Sequence, residues 1–319
     1  MPSATNIATP PVRKTDTLSA SALKTLLYYD LFRYPLTAAE ILYQSRHTNG
    51  TLQQMKECLD QLCDEGLIYC FDTFYSLQND PQLMERRRKG NALAAQMLVD
   101  QAARKAKLIG SFPYVRAVCI SGSLSKNYFD ETTDIDFFII TEPGRLWLCR
   151  SLLILYKKIF LLNSKKYFCV NYFIDSENLE IPDKNIFTAT EIITLLPFYE
   201  EHLYHEFFAA NNWVRKFYPN SHPVKNQQPV YGGNGWLKKL AEKCFNTFAG
   251  EWLDRYFYRL TVKQWQRKFP ELSNEEFEVN MRSRKDVSKH HPQGFQFRVL
   301  KTFEENCRAF EEKHQVSLH

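Results

Sequence analysis

The chain lacks any Cys-x-x-Cys pair; its eight cysteines are scattered over 319 residues. That spacing excludes the common structural zinc sites and offers no disulfide framework. Cys119 and Cys169 sit in apolar runs and read as small core residues. The N-terminal stretch has no signal-peptide pattern, so the expected compartment is a reduced cytoplasm. Long apolar runs are missing too. The longest, Leu146 to Leu162, is broken by Arg150, Lys157 and Lys158, which predicts a buried or amphipathic helix and no membrane span. No internal repeat or low-complexity tract occurs. What is there is an ordinary globular composition, 44% hydrophobic and 24% charged, on a chain long enough for two domains. The net charge of +5 suits a nucleotide or nucleic-acid partner without requiring one.

One stretch carries chemistry. From Val118 an apolar run ends in Ser121-Gly122-Ser123; a spacer follows, and Asp134-Ile135-Asp136 opens a second apolar run, Phe137 to Ile140. The pattern predicts strand, tight turn into a short helix, strand. Residues two apart on a strand share a face, so Asp134 and Asp136 aim at one point. Paired carboxylates on an apolar strand repel each other and lose hydration. A hard divalent cation, Mg²⁺ (or Mn²⁺), removes that cost and brings substrate phosphates with it. Gly122 lets the backbone turn sharply, and Ser123 offers a hydroxyl and an N–H where a helix starts, a seat for phosphate.

The Gly-Ser turn, the spacer and the Asp-x-Asp strand resemble the polymerase-β-like nucleotidyltransferase superfamily over Val118 to Thr141. The resemblance implies a metal-dependent enzyme that moves an NMP from an NTP, ATP foremost, to a hydroxyl acceptor with release of pyrophosphate. The acceptor could be a small molecule, a protein or an RNA. It also implies Asp134 and Asp136 as catalytic metal ligands, and Gly122, Ser123, Ser125 and Lys126 as the nucleotide-binding turn. Ser125 also reads as a local helix cap, and Lys126 as a plain exposed lysine.

In that superfamily a third carboxylate usually comes from the next strand, here Tyr167 to Ile174. This chain departs from the pattern and has Asn171 there. Asparagine offers a carbonyl oxygen but no charge and no base. Asp175, four residues on, shares its face at the strand end. Asn171 and Asp175 are therefore the remaining catalytic candidates, and Asn171 reads equally as a hydrogen-bonding core residue. The departure opens a second reading: a catalytically impaired nucleotide-binding regulator or scaffold, part of a toxin–antitoxin-like pair or a DNA-binding regulator.

The expected fold class is α+β. Residues 1–17 read as a disordered tail. Residues 18–80 hold three helical patterns, with a capping box at Thr37–Glu40, a C-terminal glycine at Gly66 and two short strands around Asp72-Thr73. They resemble a winged helix-turn-helix domain. Its expected recognition helix carries Glu57, Asp60, Asp64 and Glu65, so DNA is a possible partner but not the favoured one. A connecting helix, 81–110, carries the basic run Arg86 to Lys89, read either as a nucleic-acid or triphosphate contact or as a solvated face. The nucleotidyltransferase α/β domain spans 111–218. Within it, Thr188–Glu191 should start a helix to about Phe217 that Pro197 kinks, and His202 and His205 read as surface residues. A linker, 219–235, leads to a helical C-terminal region, 236–319. There the aromatic positions from Trp236 to Tyr256 read as core, and Arg282 to His291 as a basic loop.

Overall fold

The computed structural model describes residues 13–14, 17–47, 50–164, 166–225, 231–233 and 235–318. Most of the expected disordered tail, and residues 226–230 and 234 of the expected linker, lie outside them. The chain divides into two compact units. The first takes the described residues of Met1–Arg87, Arg215–Ser221 and Arg298–His319; the second takes those of Arg88–Val214 and His222–Phe297. The expected C-terminal region is thus shared between the units.

In the first unit, β1 (Arg13–Lys14) pairs in parallel with a strand at the other end of the chain, Val316–Ser317. Helices α1 (Thr17–Asp30), α2 (Ala38–Tyr43) and α3 (Leu52–Asp64) accompany an antiparallel sheet of β2 (Leu36–Thr37), β3 (Tyr69–Phe71) and β4 (Phe74–Ser76), in the order β2-β4-β3. Local chemistry sets these boundaries. Thr37 Oγ1 accepts the Glu40 N–H at 3.3 Å and the Glu40 carboxylate accepts the Thr37 N–H at 2.8 Å, a reciprocal cap that satisfies two otherwise orphaned donors. Gly66 takes φ +70° beyond α3, and the Leu67 N–H returns to the Leu62 carbonyl.

The basic run is a solvated face at Arg86, Arg88 and Lys89, which are exposed, but not at Arg87. Arg87 is buried, its guanidinium pairing Glu40 at 2.6 Å and lying 4.0 Å from the Tyr34 ring centre. Removing it takes the charged partner from the Glu40 carboxylate, which keeps its bonds to Thr37, and opens a hole where the buried guanidinium lay. Arg87→Ala is expected to cost about 3 kcal/mol in urea unfolding; a loss under about 1 kcal/mol would contradict a structural role.

Helix α4 (Gln82–Met97) continues through one π turn, Leu98–Ala102, into α5 (Ala103–Gly110). The second unit is built on a five-stranded mixed sheet. Its elements follow in order: β5 (Val115–Ser121), α6 (Gly122–Ser125), β6 (Asp136–Thr141), α7 (Leu146–Phe160), β7 (Cys169–Asp175), α8 (Ile186–Ile193), β8 (Leu196–Tyr199), α9 (Glu201–Ala210), α10 (Trp236–Phe245), α11 (Phe248–Lys268), α12 (Asn274–Asn280) and β9 (Val287–Lys289). The sheet order is β8-β5-β6-β7-β9. Only β6 and β7 run parallel, joined through α7 as a parallel pair requires.

The central strands are buried on both faces. Phe137 and Ile139 of β6 pack with Trp147 and Leu153 of α7 and with Ala106 and Ile109 of α5. Asp136 and Phe138 alternate onto the opposite face.

Three expectations give way here. The helix expected from Thr188 to Phe217 is broken into α8, β8 and α9. Asn185, not Thr188, caps α8 by accepting the Thr188 N–H at 3.0 Å. Pro197 does not kink a helix; it lies in β8, an edge strand, where its missing N–H breaks no inner ladder. The expected basic loop holds the short edge strand β9, paired antiparallel with β7. The aromatic helices are not uniformly core: Trp236, Phe248, Trp252 and Tyr256 are exposed.

Helix α13 (Phe295–His314) follows, then β10 (Val316–Ser317), the partner of β1. Among the described residues no helix is long and apolar enough to cross a membrane.

Asp254 of α11 is buried and accepts the Leu148 N–H at 2.8 Å, near the start of α7. Burial raises its pKa to about 6 despite that bond. A folded-state pKa above the unfolded one means the folded chain holds the proton more tightly. The associated stability is therefore present below about pH 4 and lost as pH rises through about 6. Asp254→Asn keeps the acceptor and avoids the buried charge. Its stability relative to wild type should rise by about 2 kcal/mol between pH 4 and pH 7. Thermal melts at both values check this; a difference that stays constant or shrinks would overturn it.

Candidate functional site

The site begins where β5 ends. Ser121 pairs across the sheet with Asp136, so the turn that follows lies against that aspartate. Gly122 has φ +69°, and a Cβ placed on it would lie 2.6 Å from the Asp136 Oδ2. Only glycine suits both the backbone and the space. Two side chains fold back onto this turn. Ser125 Oγ donates to the Gly122 carbonyl at 2.9 Å, and Lys126 Nζ to the same oxygen at 3.1 Å. Lys126 also pairs with Glu191 of α8 at 2.8 Å. Ser125 thus closes the local turn, and Lys126 is tied down rather than loosely exposed.

Asp136 opens β6, while Asp134 precedes the strand. Burial raises the Asp136 pKa to about 6. The Cys169 thiol hydrogen-bonds it and opposes that shift, Asp134 and Glu191 add to it, and Lys126 again opposes it. A largely buried carboxylate beside two others is held at a cost that a cation would relieve.

The third strand departs from the expected alternation. Along β6 and β7 the register runs Phe137 to Val170 and then Phe138 to Tyr172, so Asn171 is an extra residue, a β-bulge. Asn171 and Tyr172 therefore both line the cavity on the Asp136 side. The Asn171 side-chain NH2 donates to the Cys169 sulfur at 2.8 Å, and the Asn171 backbone carbonyl accepts the His290 backbone N–H at 3.0 Å.

Asp175 is not brought to the site. The bulge reverses the side-chain parity beyond it, since one inserted residue moves every later side chain to the other face. Asp175 pairs in register with Thr141, at the end of the sheet away from Asp136, roughly 17 Å along the strand. Its carboxylate closes the following turn, accepting the Glu177 and Asn178 N–H groups at 3.1 and 2.9 Å.

A cavity of about 460 Å³ opens from the turn. Gly122, Ser123, Asp136 and Asn171 form one end, with Glu191 beside them. Phe138, Ile181, Phe187 and Ile192 form an apolar wall, and β9 with the residues after it supplies Lys289, His291 and Gln296. This half was missed from the sequence, because no periodicity marks a three-residue edge strand. Asp183 receives Arg282 through two bonds, 3.1 and 2.8 Å, and Lys289 at 3.2 Å. Burial works against its charge, but the Arg282 hydrogen bonds and the Lys289 charge outweigh that and lower its pKa. Lys289 also bonds Gln296 at 3.0 Å. Burial pushes His291 down to about 4, with Lys289 adding to the effect, so its ring is neutral at pH 7.

The remaining histidine candidates stand apart. His202 pairs with Glu206 at 3.2 Å and His205 lies 3.8 Å from Glu201, as neighbours on the exposed face of α9. Among the described residues no group of three or more His, Cys, Asp or Glu side chains is arranged to hold a metal ion. Among the described residues the carboxylate against the turn is that of Asp136; Asp134, two residues earlier, acts on it through its charge but does not line the cavity, and Glu191 is already engaged by Lys126. Two carboxylates suffice only for an ion that completes its shell from water and substrate phosphates, the habit of Mg²⁺. Comparisons of the chain with protein-family models, with curated proteins and with solved structures found no match.

Proposed function

We propose that the cavity is the active site of a metal-dependent nucleotidyltransferase, with Gly122, Ser123 and Asp136 at its phosphate end and Asp134 just ahead of the same strand. The observation that carries this reading is the contact between the turn and the carboxylate. A left-handed glycine leaves just enough room for the Asp136 Oδ2 at 2.6 Å from where a Cβ would stand, at the mouth of a cavity of about 460 Å³. A buried acid pressed against a phosphate-sized turn has little structural purpose, since it costs stability. The five-stranded mixed sheet supports the polymerase-β-like reading of the second unit. Three helices with the strand order β2-β4-β3 support the winged-helix reading of the first.

A divalent cation bound by Asp134 and Asp136 would supply charge neutralisation for the triphosphate and a more acidic acceptor hydroxyl. The chain's own residues do the positioning. Ser123, which lines the cavity, would offer its backbone N–H and hydroxyl to the incoming phosphate. Lys126, fixed by Glu191 and the Gly122 carbonyl, holds the turn in shape. Asn171 occupies the third position without charge, so the acceptor proton has no third carboxylate to go to there, and the neutral His291 ring lines the same cavity. The exposed face of α3 carries Glu57, Asp60, Asp64 and Glu65, a poor match for DNA phosphates, so the first unit is assigned to a protein partner or to scaffolding.

The test is incubation of the purified protein with α-labelled NTPs, Mg²⁺ or Mn²⁺ and a cell extract, beside an Asp134→Ala/Asp136→Ala variant. Label transferred by the wild type and absent with the variant is the expected result and identifies the acceptor. The uncharged Asn171 favours a second reading, a nucleotide-binding regulator. Metal-dependent NTP binding in calorimetry with no transfer would select it, and neither binding nor transfer would sink both.

A further inference from the structure

Helix α10 is built inside out. Lys238 is buried, its ammonium donating to the Gly110 and Val115 carbonyls at 2.9 and 2.6 Å. One turn on, the Glu242 carboxylate accepts the Tyr114 N–H at 2.7 Å and the Arg116 guanidinium at 2.8 Å. Lys238 and Glu242 therefore face the protein. Trp236, Leu237 and Leu240 face water, at 72%, 62% and 53% exposure.

Helix α11 repeats the arrangement with two apolar stripes where a surface helix needs one. Leu253, Phe257 and Trp265 pack on the core. Phe248, Trp252, Tyr256 and Leu260, each four residues from the last, stand outside, with the Trp252 and Tyr256 rings stacked at 5.4 Å. Seven large apolar side chains exposed along two consecutive helices exceed the scattered singles of an ordinary surface.

We propose that this α10–α11 face docks on the surface of an anionic lipid bilayer. Charge selects the partner. Lys239, Lys243, Arg255, Arg259 and Lys263 are exposed on the same two helices, and Glu251 is their single exposed carboxylate. Two copies of the face apposed would set cation against cation, which disfavours self-association. A nucleic acid would use the aromatics and the cations, but it has no use for Leu237, Leu240 and Leu260, because aliphatic side chains offer no stacking surface. Tryptophan, phenylalanine and leucine flanked by lysine and arginine match the interface of an acidic membrane, where rings and aliphatics enter the acyl boundary and cations meet headgroups. The inference stands on surface chemistry alone and is independent of the nucleotidyltransferase reading.

The experiment is co-sedimentation of the full chain with vesicles of phosphatidylcholine alone and of phosphatidylcholine with phosphatidylglycerol, with Trp fluorescence followed in parallel. Binding to the anionic vesicles with a blue shift, and little to the neutral ones, is expected. Lys239→Gln/Arg255→Gln should weaken it about thirtyfold. Trp252→Ser/Tyr256→Ser should remove both binding and the shift with the circular dichroism unchanged, since both rings lie outside the core. Failure of the folded wild type to bind anionic vesicles would overturn the proposal. So would undiminished binding by Trp252→Ser/Tyr256→Ser. A dimer in sedimentation velocity that this double variant dissolves, without vesicle binding, would overturn it in favour of a second copy.

Discussion

Asp136→Asn is expected to abolish the proposed nucleotidyl transfer and to leave a folded protein that melts at a higher temperature in metal-free buffer. The two effects share one cause. The Asp136 carboxylate is largely buried, with the charges of Asp134 and Glu191 acting against its own and the Cys169 thiol hydrogen-bonding it. In the absence of a cation such a charge is a burden on the fold. Asparagine removes the charge at nearly constant volume. It also removes the ligand on which the proposed chemistry depends. Residues that merely support metal ligands are worth roughly 10–100-fold in affinity or activity, so loss of a ligand itself should exceed about 100-fold. Labelled-NTP transfer and calorimetry in EDTA measure the pair of effects. Transfer within about tenfold of wild type, or a lower melting temperature, would place Asp136 outside the chemistry or show that it holds the fold together.

Gly122→Ala is expected to damage both stability and the proposed activity, through Asp136. A residue with a Cβ at φ +69° costs about 1–2 kcal/mol on backbone grounds alone. The new methyl would also meet the Asp136 Oδ2 at 2.6 Å, so either the carboxylate or the turn must move. The steric part is separable. In an Asp136→Gly background the methyl has room, and the cost of Gly122→Ala should fall by about 1 kcal/mol or more in a double-mutant cycle. Strict additivity in chemical denaturation would show that the two groups do not touch.

How much of this was legible beforehand depends on distance along the chain. The turn from Ser121 to Ser123 and the strand beginning at Asp136 were readable because glycine, helix start and apolar run are local signals. The reciprocal cap at Thr37–Glu40 and the left-handed Gly66 were readable for the same reason. Asp175 was not. Its face was inferred from strict alternation, and one bulged residue, Asn171, reversed it. Nothing in the apolar pattern from Cys169 to Ile174 marks the bulge, since both registers bury similar side chains. Pro197 was read as a kink because the positions around it suit a helix. An edge strand accepts it equally, and only the pairing partner decides between them.

The basic segment from Arg282 to His291 shows the same limit from the other side. Its charge suggested a loop, yet Arg282 is buried against Asp183, ninety-nine residues earlier in the chain. A buried cation is stable only where its counter-ion is waiting, and a sequence does not announce which distant carboxylate that is.

By itself, the amino-acid sequence determined the local conformations: the strand, turn and strand around Gly122 and Asp136, the helix caps, and the absence of a membrane-spanning run. Short-range sterics and hydrogen bonding impose these whatever the rest of the chain does. Tertiary structure alone decided which strand lies beside which, where the bulge falls, that Lys289 and His291 share a cavity with Asp136, and that α10 turns Lys238 inward and Trp236 out. These outcomes rest on register and on long-range pairing, where many arrangements bury similar apolar area and specific contacts far apart in the chain select one.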